Sequence, residues 1–288
     1  MESVLEQIEE WFRNMLIEGI MEHLTNTFSS LNTEVGEISN VVGQTPAEFL
    51  PSVYNLIRTL SENLIMPIAG IILTIIACYE LIQLVISHNN LANFETFIFF
   101  KWVFKTFVAV TLITNTFTIT MAVFDVAKWV IERSGGIIAA STTVDASTLA
   151  SMQPVLEAMD TGELFSIFLQ TFVLQFLIKL AAVFIFIVVN GRMIEIYLYV
   201  SMAPIPFATF GNQEQSQMGQ NYFKALWALG LQGFLIMVCV GIYAVMIQSV
   251  AFSSDIMASM WKVFGFTVLL GFTLLKSGSI AKSILHAT

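Results

Sequence analysis

Charge is what this sequence has least of. Only 11% of its residues are charged, against about 25% in soluble domains. A soluble domain of 288 residues so built would have to expose large apolar patches, which excludes a soluble enzyme. Basic residues are scarcer than acidic ones: 12 Lys and Arg stand against 21 Asp and Glu, for a net charge of -9. That argues against an overall basic surface for nucleic acid. The acid gathers early, with ten of the 21 carboxylates ahead of Leu64 and only Arg13 and Arg58 opposing them there. Histidine is limited to His23, His88 and His286, with no paired spacing for a metal. The two cysteines, Cys78 and Cys239, lie in apolar runs and read as small buried hydrophobes, leaving the redox compartment open. Glu2, Glu6, Glu9 and Glu10 stand where a signal peptide would be basic, so an internal span is expected to lead insertion. Neither a Gly-x-Ser-x-Gly elbow nor a Cys-x-x-Cys pair occurs. Gly271 with Lys276-Ser277 has Leu275 where a phosphate loop needs glycine, and it lies inside an apolar run. No catalytic, cofactor-binding or metal-binding constellation emerges, and the chain is expected not to be an enzyme.

What the sequence does have is apolar length: 56% of its residues are apolar. Spans of about 20 residues each are expected near 64–86, 102–124, 164–189, 193–210, 226–250 and 261–285. The expected fold is therefore all-α, a polytopic membrane helix bundle of six spans with an amphipathic amino-terminal helix. The run from Leu164 to Phe210 is interrupted only by Asn190-Gly191-Arg192. It reads as two spans joined by a tight turn, with a five-span alternative in which one half is re-entrant. With six spans, Arg58, Lys128, Arg133, Lys224 and Lys282 oppose Lys101, Arg192 and Lys262, and the basic-residue bias leans towards both termini in the cytoplasm. No internal repeat is visible, which lowers the odds of a secondary transporter.

An acidic region, 1–60, is expected to precede a membrane domain, 61–288. Within residues 4–24, Val4, Leu5, Ile8, Trp11, Phe12, Met15 and Leu16 share a helical stripe opposite Glu2, Glu6, Glu9, Glu10 and Arg13. The acidic polar face favours packing on the bundle or on a partner over lipid anchoring. Residues 25–51 read as a loose connection and 211–224 as a polar loop. The polar segment 125–163 holds the run Ser141-Thr142-Thr143 and a short amphipathic helix around Leu149, Met152, Val155, Leu156 and Met159.

Charged groups inside spans are functional candidates by default. Lys179 lies near the middle of its span on a stripe with Thr171, Gln175 and Ala182, and Glu80 lies about two-thirds along the first. A Glu80–Lys179 pair inside the bundle is expected, as a structural bridge or part of a pathway. Glu195 is placed to reach the interface, and Lys101 and Lys105 to snorkel. A second stripe, Thr111, Asn115, Thr118 and Ala122, either bonds across helices or lines a wet passage. Gly233 and Gly241 mark a close-packing face.

One stretch points further. Residues 195–210 (EIYLYVSMAPIPFATF) end a span on a proline-containing break, and residues 221–234 (NYFKALWALGLQGF) open the next. This resembles the TrbL family of conjugal transfer proteins, the VirB-type polytopic subunit of type IV secretion systems. The matching positions are Ala203, Pro204 and Pro206 at the break, Tyr222 and Lys224 after the loop, and Gln232 with Gly233. The form looks like the version carried by conjugative elements of Gram-positive bacteria. The resemblance implies a non-catalytic scaffold and channel subunit without cofactors, multi-pass in the bacterial cytoplasmic membrane and homo-oligomeric. It implies secretion ATPases and a wall-facing subunit as partners, and a part in moving DNA with a bound relaxase out of the cell. The competing reading is a stand-alone transporter of small solutes or ions, with Glu80 and Lys179 in its pathway.

Overall fold

The computed structural model describes residues 2–87, 96–138, 146–212, 215–250 and 255–287. His88 and Ser141-Thr142-Thr143 lie outside them. The described residues fold into helices: α1 (Glu2–Val42), α2 (Pro46–Phe49), α3 (Pro51–Leu60), a π-helical turn (Ser61–Ile65), α4 (Met66–Ser87), α5 (Thr96–Thr114), α6 (Thr116–Ile138), α7 (Ala146–Glu157), α8 (Thr161–Ser201), α9 (Pro204–Ala208), α10 (Ser216–Gln248) and α11 (Ile256–Ile284). Among the described residues, five segments are long and apolar enough to cross a membrane: Pro51–Ile86, Phe97–Thr114, Thr161–Ala208, Ser216–Gln248 and Ile256–Ile284. The fold is an all-α polytopic bundle.

Several boundaries differ from expectation, each for a local reason. The turn expected at Asn190-Gly191-Arg192 is absent, and α8 runs unbroken for 41 residues, about 60 Å at the helical rise. Asn190 donates its side-chain amide to Phe186 O one turn back at 2.8 Å, so the helix absorbs its polarity. Among the described residues, the expected pair of spans is thus one continuous helix, and the candidate spans number five rather than six.

Residues 25–42, expected to be loose, continue α1. Their hydroxyls fold back onto the preceding turn, Thr25 onto Met21 O at 2.7 Å, Ser30 onto Asn26 O at 2.7 Å and Ser39 onto Val35 O at 2.9 Å. Leu31, Val35, Ile38 and Val42 keep the buried stripe going. The second span shifts from 102–124 to Phe97–Thr114, where α5 ends; α6 starts at Thr116, and backbone bonds from Asn115 N to Thr111 O at 3.2 Å and from Ile119 N to Asn115 O at 2.9 Å link the two helices. The expected loop at 211–224 is largely helix, since α10 starts at Ser216.

Two compact units divide the chain. The first comprises residues 1–42, 132–190 and 235–277. Here Leu16, Ile20 and Leu24 of α1 are buried, the Arg13 guanidinium donates to Glu157 O at the end of α7, and Met152 and Leu156 are buried on the expected short helix. The second comprises residues 43–131, 191–234 and 278–288. Its α2 opens on a capping box, in which Thr45 N donates to Glu48 Oε2 at 2.9 Å and Glu48 N to Thr45 Oγ1 at 3.4 Å. Lys128 bonds the same Glu48 at 2.6 Å. That bond and the Thr45 amide hold the Glu48 carboxyl below its ordinary range.

Candidate functional site

Of the motif positions singled out in the sequence, Ala203, Pro204, Pro206 and Tyr222 come together in the second unit, at the end of α8. Proline has no amide hydrogen, and its ring collides with the carbonyl four residues back, so Pro204 stops the helix. The last turn tightens, with Met202 N donating to Tyr199 O at 3.3 Å and Ala203 N to Val200 O at 3.2 Å. Pro204 then sits in the first turn of α9, where the missing amide costs nothing. Thr209 closes α9 by donating its amide and its hydroxyl to Pro206 O, at 3.1 and 2.8 Å.

α9 is a wedge. Its Phe207 and Ala208 are buried against Ala69 and Leu73 of α4 and Ala109 and Ile113 of α5. The start of α10 seals the other side, with Gly219 N donating to Thr209 Oγ1 at 3.1 Å. A Cβ on Gly219 would stand 2.8 Å from Pro206 O, so no larger residue fits there without movement. A chain of rings binds the break together. Tyr199 stacks on Tyr222 at 6.1 Å, Tyr222 meets Phe207 edge-on at 6.0 Å, and Phe207, Phe210, Phe223 and Trp227 follow at 5.2, 6.4 and 6.2 Å. Each such pair adds about 0.5–1.5 kcal/mol beyond its buried area. The Tyr222 hydroxyl also donates to Tyr199 O at 2.8 Å, a second bond to a carbonyl that already accepts from Met202 N in the tightened last turn of α8.

One to three turns before the break, α8 carries a polar band where the sequence predicts a turn at Arg192 and an interface position at Glu195. Arg192 is only 5% exposed. Its Nε and Nη2 donate to Leu229 O on α10 at 3.3 and 3.2 Å, while Nη1 is buried with no hydrogen-bond partner. Glu195 bonds Lys282 of α11 at 3.0 Å, and the Lys282 ammonium lies 5.7 Å over the Tyr199 ring. The Tyr197 hydroxyl donates to Pro46 O at 2.6 Å. The signal for this band was in the sequence, as two charges and two tyrosines close together in a long apolar run.

Of the motif positions, Ala203, Pro204, Gln232 and Gly233 are buried, Pro206 and Tyr222 partly so, and Lys224 is exposed. Gly233 is a close-packing position as expected: an added Cβ would stand 2.7 Å from Ile131 Cδ1 and 2.8 Å from Arg192 Nη2.

The intramembrane candidates fare differently. Glu80 pairs with Lys105 of the neighbouring α5 at 2.7 Å, beside a Trp102 indole that donates to Ala77 O at 3.3 Å. Glu80 is therefore paired with Lys105 in place of the expected Lys179. Lys179 is exposed on α8, with no ion pair among the described residues, and Gln175 is partly buried. Thr171 on the same stripe is buried and meets His23 Nδ1 of α1 at 3.3 Å. Thr111, Asn115 and Thr118 are exposed. Thr111 donates to Phe107 O at 2.9 Å and Asn115 to Thr111 O at 2.8 Å, so both satisfy themselves on their own chain at the end of the Phe97–Thr114 span. Among the described residues, no group of three His, Cys, Asp or Glu side chains is placed to hold a metal ion.

The model of a family described as TrbL/VirB6 plasmid conjugal transfer-like proteins matches residues 31–204, more than half of the chain's 288 residues. The chain belongs to the TrbL/VirB6 family. The matched segment runs from the second half of α1 through α8 and ends on the first proline of the break. Within the break, the TrbL/VirB6 match thus reaches Ala203 and Pro204, while Pro206, Tyr222, Lys224, Gln232 and Gly233 stand on the geometry around α9 and α10. No curated protein and no solved structure matches the chain. Family and helices together make this a multi-pass membrane protein of the conjugal transfer type.

Proposed function

We propose that this chain is a platform and channel subunit of a conjugative type IV secretion system in the bacterial cytoplasmic membrane. It assembles as a homo-oligomer with the secretion ATPases and a wall-facing subunit, and helps to move DNA with its bound protein across the membrane. The observation that carries the reading is family membership over residues 31–204. The proline break supports it, because the interrupted stretch at α9 is enclosed by α4, α5 and α10, the setting in which a broken helix is tolerated in a membrane protein. The acidic balance is compatible with DNA transfer if partner subunits hold the nucleic acid. The small-solute transporter reading rested on Glu80 and Lys179 sharing a pathway. With Glu80 bonded to Lys105, no observation favours it.

Clean deletion of the gene in a donor cell, followed by a mating assay, tests the proposal. Transfer is expected to be lost and to return with a plasmid-borne wild-type copy. Unchanged transfer in the deletion strain would overturn it.

A further inference from the structure

The two halves of α1 present different faces. From Leu16 onward the helix buries Leu16, Ile20, Leu24 and Phe28. Ahead of that, Val4, Ile8, Trp11 and Met15 are 56, 56, 64 and 44% exposed. Their spacings of four, three and four residues set them in one row, the seam spacing of a two-helix contact. The row continues into Glu18 and Glu22, both exposed and without an ion-pair partner among the described residues. Glu6, Glu9 and Glu10 occupy the far side, exposed. The one cation of this stretch, Arg13, is turned onto Glu157 O of α7. The result is an apolar seam that runs into two unpaired carboxylates on a helix with an acidic back.

Charge decides what covers such a seam. Helices that lie on anionic membranes are basic on their polar face, and this one is acidic. A second copy laid alongside in parallel would set Glu18 and Glu22 against their own counterparts, and like charges facing each other destabilise a helix pair. A basic partner has neither problem. We propose that Val4, Ile8, Trp11 and Met15, with Glu18 and Glu22, form a docking face for a basic amphipathic helix of another protein. The partner's apolar row packs on the seam, and its Lys or Arg residues meet Glu18 and Glu22. This interaction goes beyond the proposed transfer role, and its test does not depend on DNA transfer.

The test uses the full chain in nanodiscs of zwitterionic lipid and a fluorescently labelled helical peptide with a leucine seam and lysine flanks, read by anisotropy. Saturable, salt-sensitive binding is expected. Trp11→Ser should weaken it about tenfold, as loss of an interface aromatic typically does. Glu18→Gln with Glu22→Gln should weaken it and flatten its salt dependence. Because these side chains are exposed, thermal unfolding of the variants should match wild type. Equal binding of the same peptide with glutamate flanks would overturn the proposal, as would binding that ignores all three substitutions. Trp11-dependent capture of anionic vesicles in preference to the peptide would point to a lipid surface instead. Self-association abolished by Trp11→Ser would point to a second copy, and either result overturns the proposal.

Discussion

The Arg192 guanidinium lies across Gly233. Its Nη2 would stand 2.8 Å from a Cβ on that glycine, and from there it reaches Leu229 O at 3.2 Å. A glycine one turn beyond the accepting carbonyl is what lets a bulky cation cross the face of α10. The two residues therefore form one device, a buried arginine and the notch that admits it.

Gly233→Ala should displace Arg192 and crowd Ile131, whose Cδ1 would lie 2.7 Å from the new methyl. Overpacking of this kind costs about 1–3 kcal/mol. Gly36→Ala is the control, since nothing lies within 4 Å of a Cβ there, and alanine in a helix interior gains about 0.5–1 kcal/mol over glycine. Thermal unfolding of the detergent-solubilised variants should move in opposite directions, down for Gly233→Ala and level or up for Gly36→Ala.

Arg192 itself is a costly residue to bury, with Nη1 unpartnered and its hydrogen bonds made to one carbonyl. Replacing buried charges by apolar side chains of similar volume is often neutral or stabilising. Arg192→Met should therefore keep or raise the unfolding temperature while lowering DNA transfer in a mating assay. A clear fall in unfolding temperature would instead make the guanidinium a net structural support.

How much of this was legible in the sequence follows from what each residue asks of its surroundings. The apolar spans and the proline break were readable because lipid and proline impose rules that hold in any context. The length of α1 was not, because serine and threonine look like loop residues until their hydroxyls bond back to Met21, Asn26 and Val35. Continuity through Asn190 was hidden for the same reason. Arg192 was misplaced because a charge within an apolar run reads as a surface turn unless its acceptor is known, and Leu229 lies 37 residues away. Glu80 found its cation 25 residues on at Lys105, where the sequence supplied several candidates and no distance.

Glu34 makes stability depend on pH in the reverse of the usual carboxylate sense. Partial burial on α1, then the neighbouring charge of Glu37, push its pKa from 4.5 up to about 7. The folded state therefore holds the proton more tightly than the unfolded state. Its contribution is fully present below about pH 4.5 and is lost as pH rises through about 7. Wild-type unfolding temperature should fall across that window, and Glu34→Gln should flatten the fall and be the more stable protein above it. Glu48, whose pKa is lowered, acts in a separate window: its contribution is present above the ordinary carboxylate range and disappears on acidification below it.

The proline break makes the most direct functional prediction. With Pro204 and Pro206 both changed to alanine, the amide hydrogens return and the ring clashes go, so nothing local prevents α8 from continuing past Ser201. A continued helix cannot keep Phe207 and Ala208 in the pocket formed by Ala69, Leu73, Ala109 and Ile113, nor Thr209 Oγ1 within reach of Gly219 N. The ring chain through Tyr222 would part at Phe207. The spans themselves keep their apolar length, so membrane insertion measured by fractionation should be unchanged, while transfer frequency in the mating assay falls. Each single proline variant should lie between wild type and the double. Wild-type transfer by the double variant would show that the wedge is packing alone and that the subunit works without it.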